Sequence, residues 1–320
     1  MYKEFLEKRN EWMECLSGKD RNCIEQQLHS LIWNTAAYEI INEARKHAPP
    51  AQEGGVQLNG LMHNLIDRCF HDSQLIAIRR LIYGDNSKGK RGVYSLKALL
   101  EEMKKNSKLI TRGNIFKSED LEYDHQKLQV KEEEYIREHL SKGQKSVWVP
   151  QKYDSGYGRR RHRSFDILSG KSENERDWGD QIKPEIFDLM IKQLGNVSTK
   201  AKAISDKFIA HAATKESRNF VDPEHLKICR NDIWPVLETM CGVTNNVKGI
   251  ISNGRWSTFL AIPSYDQFIY IDEPLIDKSK IQVLKDKWDE FGKKVNQWCS
   301  NTLFDLAEDS IIEIQQHMYE

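Results

Sequence analysis

At 320 residues the chain is long enough to bury a substantial core, in one large domain or two. Its 48 Lys plus Arg balance 48 Asp plus Glu, which excludes a global field toward nucleic acid or membrane and leaves only a local patch for any polyanion. Thirty per cent charged residues, and no apolar run near the ~20 residues of a bilayer span, exclude a membrane-embedded chain.

The N-terminal Met-Tyr-Lys-Glu-Phe-Leu-Glu-Lys-Arg has no apolar signal region, so a cytoplasmic protein without membrane partners is expected. Tyr2 to Leu16 reads as a short amphipathic helix ended by Ser17-Gly18. A longer helix over 22–47 stops at Pro49-Pro50. Leu58 to Tyr83 reads as a long helix with Leu58, Met62, Leu65, Cys69, Ser73 and Ile76 along its core stripe. After the polar loop Gly84–Gly92, Ser95 is a plausible N-cap for a short helix through Met103. A charged helix follows over 119–141, ended by Gly143. Residues 142–180 break the pattern and read as a basic loop insertion.

Helix resumes at Pro184, a good first-turn residue, and runs through His211. Asp222-Pro223-Glu224 signals another start, of a helix to Cys241. Trp256 to Ile262 and Gln267 to Ile271 read as two strands around Pro263-Ser264-Tyr265-Asp266, and a last helix occupies 278–318. The predicted fold is therefore mainly α. Residues 1–241 form an antiparallel helical bundle, and residues 242–320 a small β-hairpin plus a long helix packed on it.

The six cysteines, Cys15, Cys23, Cys69, Cys229, Cys241 and Cys299, form no CxxC pair and no zinc-finger spacing, so reduced structural thiols are expected. No Walker loop, Gly-x-Ser-x-Gly elbow or dinucleotide fingerprint occurs, and no cofactor or metal is expected. His63, Asp67 and His71 lie on one face of the long helix, opposite its apolar stripe. They span about 12 Å, too far for one ion, and read as a solvated face.

Three features carry candidate chemistry. Phe187, Met190, Leu194, Val197, Ala201, Ile204 and Phe208 step by three and four, and the next step on that stripe is His211. It is either a hydrogen-bonded core histidine or a functional group aimed into a cleft. Arg80 lies eighteen positions after Met62, five helical turns, on the same side as the apolar stripe. It either reaches the His211 cleft to bind a phosphate or snorkels to solvent. Finally, Lys142, Lys145, Lys152, Arg159, Arg160, Arg161 and Arg163 are interleaved with Trp148, Tyr153 and Tyr157. Cations for phosphates and aromatic faces for bases are the ingredients of single-strand binding. The alternative is a solvated loop paired with the helix of Glu132, Glu133 and Glu134.

Asp206-Lys207-Phe208-Ile209-Ala210-His211 resembles the "Arg-Asp-Lys-x-Ile-Ala-His" signature of HEPN domains, in particular the abortive-infection AbiU-type group. Ile78-Arg79-Arg80-Leu81-Ile82 and Tyr94-Ser95-Leu96-Lys97-Ala98-Leu99-Leu100 resemble that group's "Ile-x-Arg-Leu … Ser-Leu-x-x-Leu-Leu" block. The resemblance implies a bundle of four to five helices. It also implies a metal-independent endoribonuclease of a prokaryotic defence or toxin–antitoxin type, working as a homodimer with a possible antitoxin or defence partner protein. His211 would be the catalytic proton carrier on RNA, with Lys207 and Arg80 as cations. The family's Arg, with four to six residues between it and the His, is absent here: those positions hold Ile204, Ser205 and Asp206. The alternative is therefore a non-catalytic helical module that binds nucleic acid, nucleotide or a protein. Lys152, Tyr157, Arg159, Arg160, Arg161 and Arg163 are the expected nucleic-acid contacts.

Overall fold

A computed structural model describes residues 1–50, 57–84, 92–209, 214–218, 230–252, 254, 256, 258–269, 271–273 and 278–300. They form eleven α-helices: α1 Tyr2–Ser17, α2 Ile24–Lys46, α3 Gly60–Tyr83, α4 Leu96–Lys105, α5 Arg112–Ser118, α6 His125–Ser141, α7 Ser155–Ser169, α8 Pro184–Ile204, α9 Lys215–Arg218, α10 Arg230–Ser252 and α11 Ile281–Ser300. Their starts follow from local chemistry. Side chains of Asn59, Ser95, Thr111, Asp124 and Asp154 each accept a first-turn backbone N–H, supplying acceptors that a helix N-terminus lacks. The chain divides into two compact units, Met1–Ala261 and Ile262–Glu320. The second contains α11, whose Ile281, Leu284, Trp288 and Phe291 are exposed.

In the first unit α8 is central, packing against α3, α4 and α10, while α1 closes on α2, α4, α5 and α10. The expected stripe of α8 is its core face: Phe187, Met190, Leu194, Ala201 and Ile204 are buried, and Val197 packs against the core. None of the helices among the described residues is long and apolar enough to cross a membrane.

Three expectations are corrected. The first concerns α3, whose faces are exchanged. Leu58, Met62, Leu65, Cys69, Ser73 and Ile76 are exposed, and the buried residues are Phe70, Gln74, Leu75, Ile78, Leu81 and Ile82. The deciding contacts are long-range. Phe70 stacks on Tyr38 of α2 at 3.8 Å between ring centres, and Gln74 Nε2 donates to the Leu31 carbonyl at 3.3 Å. His63, Asp67 and His71 accordingly face α2. Tyr38 donates to Asp67 at 2.8 Å, and Arg45 donates to Asp67 at 2.7 Å and to His63 at 2.9 Å.

Residues 142–180, expected as a loop, contain α7. The glycines that suggested freedom have packing reasons: a Cβ on buried Gly158 would stand 2.5 Å from Leu128 of α6, so the missing side chain lets the two helices approach. Gly170, at φ +66°, ends α7 in the left-handed conformation.

The third correction is the hairpin: among the described residues there is no named strand, and the region reads as turns and bends. Within the first unit, Trp256 and Phe259 pack on the bundle instead. Trp256 donates its backbone N–H to Asn245 at 2.9 Å and its indole N–H to Glu25 at 2.5 Å, and Phe259 is buried with its carbonyl 2.6 Å from His29 Nδ1. With side chains satisfying this backbone, no strand ladder is required. The boundary expected after Cys241 falls inside continuous α10, and the helix expected from Asp222 begins outside the described residues.

Candidate functional site at the end of helix α8

The helical stripe of α8 ends at Ile204, where the backbone enters a π-helical turn, Ser205–Ile209. A π turn closes with i→i+5 hydrogen bonds, so the next apolar residue of the stripe after Ile204 is five positions on rather than four. Ile209 therefore packs against the core, and Phe208 is turned outward to 44% exposure. The expectation of one continuous helix from Pro184 through His211, with Phe208 on its core stripe, is corrected for this reason. His211 lies outside the described residues.

The π turn places Asp206 between two helices. Its carboxylate accepts from Arg79 of α3, and from Lys202, one turn earlier on α8, at 2.5 Å. Partial burial raises the Asp206 pKa, but the hydrogen bonds from Lys202 and Arg79 outweigh that and hold it below the usual carboxylate range. Behind this pair, the Tyr83 and Ser198 hydroxyls meet at 2.7 Å, and Lys202 Nζ lies 5.4 Å from the Tyr83 ring centre. Half-buried Lys207 donates to Ser217 of α9 at 2.8 Å, and Arg218 stands over the Phe208 ring at 5.4 Å. The Ser205 hydroxyl is fully buried and has no hydrogen-bond partner among the described residues.

Arg80 occupies a different groove, lined by Asp20, Asn22, Gln27, Val93 and Tyr94. The α3 arginine that meets the motif is its neighbour Arg79. The two differ by about 100° around the helix, so neighbouring arginines of α3 serve different surroundings.

The basic segment separates into distinct environments. Arg161 is buried: Nε and Nη2 donate to Glu119 at 3.1 and 2.7 Å, and Nη1 and Nη2 donate to the Gly249 and Ile250 carbonyls at 2.7 and 2.9 Å. It thereby caps the end of α10. Tyr157 also donates to Glu119, at 3.1 Å. Arg159, Arg160 and Arg163 are exposed along α7, with Arg159 donating to His125 at 3.2 Å and Arg160 near Asp154 at 3.5 Å. Exposed Lys152 stands over the Tyr153 ring at 5.0 Å, and Tyr153 stacks on Tyr135 at 5.0 Å. Glu132 accepts from the Ser155 backbone N–H at 3.3 Å, serving the start of α7.

Among the described residues no group of three His, Cys, Asp or Glu side chains could hold a metal ion. Cys15, Cys23, Cys69 and Cys241 are free thiols. Burial pushes Cys15 up to about 12, with a further contribution from Cys23, and pushes Cys241 up to about 11. Neither has thiolate character at neutral pH.

A family model described as AbiU2, of the HEPN class, matches residues 20–267. No curated protein and no solved structure matches the chain.

Proposed function

The chain belongs to the AbiU2 family of abortive-infection HEPN proteins, and on that premise we propose that it acts on RNA, in a prokaryotic defence or toxin–antitoxin role, as a metal-independent endoribonuclease centred on His211. The observation that carries this reading is the family match spanning both the α3 block and the Asp206–His211 motif. His211 would move the proton of the attacking 2′-hydroxyl or the leaving 5′-oxygen, and Lys207 would neutralise charge developing on the phosphorus oxygens. Arg80, on the same helix as Arg79, is the third sequence candidate for that charge. Arg159, Arg160, Arg163 and Lys152 offer an exposed cationic surface for the RNA backbone. The work belongs to the cytoplasm.

A second reading, a non-catalytic binding module, is favoured by one specific observation. Asp206 stands where the family's arginine could be, and its carboxylate is already engaged by Arg79 and Lys202. Purified protein incubated with total RNA in chelator, beside His211→Ala, separates the readings. Cleavage that disappears in the variant supports the enzyme. Binding without cleavage in both supports the module. Neither binding nor cleavage rejects an RNA role.

We propose further that the functional species is a homodimer, with an antitoxin or defence protein as an additional partner. Supporting this, α3 exposes Leu61 at 65% and Leu65 at 61% beside Leu58, Met62 and Ile76, an apolar stripe of a kind that single chains seldom leave in water.

A further inference from the structure

We infer that Arg79 and Lys202 form a phosphate-binding pair at the π turn of α8, and that the Asp206 carboxylate is the internal anion which holds them until a phosphodiester of RNA displaces it. The inference rests on the RNA reading above for its ligand and on separate geometry for the site.

The first argument is charge. Arg79, Lys202, Lys207 and Arg218 converge on Ser205–Ile209 and the adjoining α9, against Asp206 and Glu216. Two of these cations share a single carboxylate, so the cluster keeps positive charge after the internal pairing is counted. The second is accessibility. The Arg79 side chain is 39% exposed and Lys202 45%, so both reach solvent while touching Asp206. A buried structural pair would be enclosed, as Arg161 and Glu119 are, at 1% and 3%.

The third argument is shape. A carboxylate presents two oxygens in a plane, and a phosphodiester presents two non-bridging oxygens at a similar spacing. An Arg fork and a Lys ammonium that accept one can accept the other. The fourth is the backbone. Asp206 belongs to a π turn rather than the α-helix, and the hydroxyl of neighbouring Ser205 is buried without a partner among the described residues. π turns are rare and frequently mark functional sites.

The test uses full-length protein and inorganic phosphate at constant ionic strength, read by thermal melting, beside binding of a labelled single-stranded RNA. Phosphate should raise the wild-type melting temperature with saturation. Asp206→Asn, which removes the internal competitor, should tighten half-saturation about tenfold, or 1.4 kcal/mol. Arg79→Gln should abolish the phosphate shift and weaken RNA binding. Arg79→Lys keeps the charge without the fork and should retain part of both. Arg68→Gln, which removes an exposed cation elsewhere on α3, should behave as wild type.

The inference is overturned if phosphate leaves the wild type unshifted, or if Arg79→Gln lowers the melting temperature yet responds to phosphate as wild type does. A greater loss of the shift in Arg80→Gln than in Arg79→Gln also overturns it. RNA bound equally by wild type and Arg79→Gln sinks this inference and leaves the RNA reading standing. A phosphate shift with the expected variants but no RNA bound or cut sinks the RNA reading and leaves the anion site.

Discussion

The run Arg159-Arg160-Arg161-His162-Arg163 shows how little the type of a side chain says about its duty. A run of cations reads as a solvated surface, and that is right for Arg159, Arg160 and Arg163. Arg161 points inward, where Glu119 and two carbonyls at the end of α10 supply acceptors, and no local pattern announces partners 42 and 89 residues away. Replacing Arg161 with Gln leaves Glu119 as an uncompensated buried charge, a loss of about 3–5 kcal/mol that should lower the melting temperature sharply. Replacing Arg159, Arg160 and Arg163 together with Gln should leave the melt unchanged and weaken RNA binding across sequences. Its log–log salt slope should shrink by about 0.7 per lost phosphate contact. A filter-binding titration at two salt concentrations, with a parallel melt, checks both. His162, beside Arg161, makes a pH prediction. Burial lowers its pKa, only partly offset by its bond to the Tyr123 carbonyl, with Arg176 and Arg112 lowering it further and Asp166 opposing them. Below about pH 6.5 the unfolded chain then binds a proton that the folded chain refuses, so stability should fall as the medium is acidified through that value. Melts from pH 7.5 to 5 should show a shallower slope for His162→Gln, and an identical slope would contradict this account.

At the scale of elements, the stripe of α8 was legible because regular helical packing repeats its contacts every three or four residues. Where the repeat changes, legibility stops: the π turn has the same composition as a helix, and nothing in Ser-Asp-Lys-Phe-Ile marks the extra residue. A pair of substitutions measures the register. Leu194→Ala should cost about 2–5 kcal/mol for a cavity in the core. Phe208→Ala should stay within about 0.5 kcal/mol, as for an exposed residue. A loss at Phe208 matching that at Leu194 would mean that the α-helical register continues. Helix α3 failed differently. It carries apolar residues around much of its circumference, so two faces compete. The one that won holds polar Gln74, fully buried with its amide N–H donating to the Leu31 carbonyl. Choosing the other stripe exchanged the buried and exposed faces of that helix, with His63, Asp67 and His71 turned toward α2 as a result.

For the whole molecule, the helical class and the family were legible, the first from periodicity and the second from two short motifs. The supposed hairpin was not, because β-branched and aromatic residues between turn signals serve equally well to lay a segment over a helical bundle, as Trp256 and Phe259 do. The exposed stripe of α3 belongs to this scale, since the proposed homodimer would cover it. Sedimentation equilibrium should give about twice the mass of one chain, and Leu61→Glu with Leu65→Glu should halve it while keeping helical circular dichroism. A wild-type mass of one chain at tens of micromolar would rule the dimer out.

Helix α1 separates the family match from the fold. The family match begins at residue 20, so α1 lies entirely outside the matched stretch. Yet it places Phe5, Trp12 and Leu16 in the core, and Arg9 donates to the Ile251 carbonyl at 2.6 Å, at the same end of α10 that Arg161 caps. Burying each such side chain contributes about 1.5–3 kcal/mol, a large part of the margin by which most domains stay folded. An expression fragment cut to residues 20–267 should therefore aggregate or melt well below the full chain, while one beginning at Met1 and ending at Ala261 should remain folded. The stretch that the family model matches and the stretch this polypeptide needs to stand alone have different edges, and α1 lies between them.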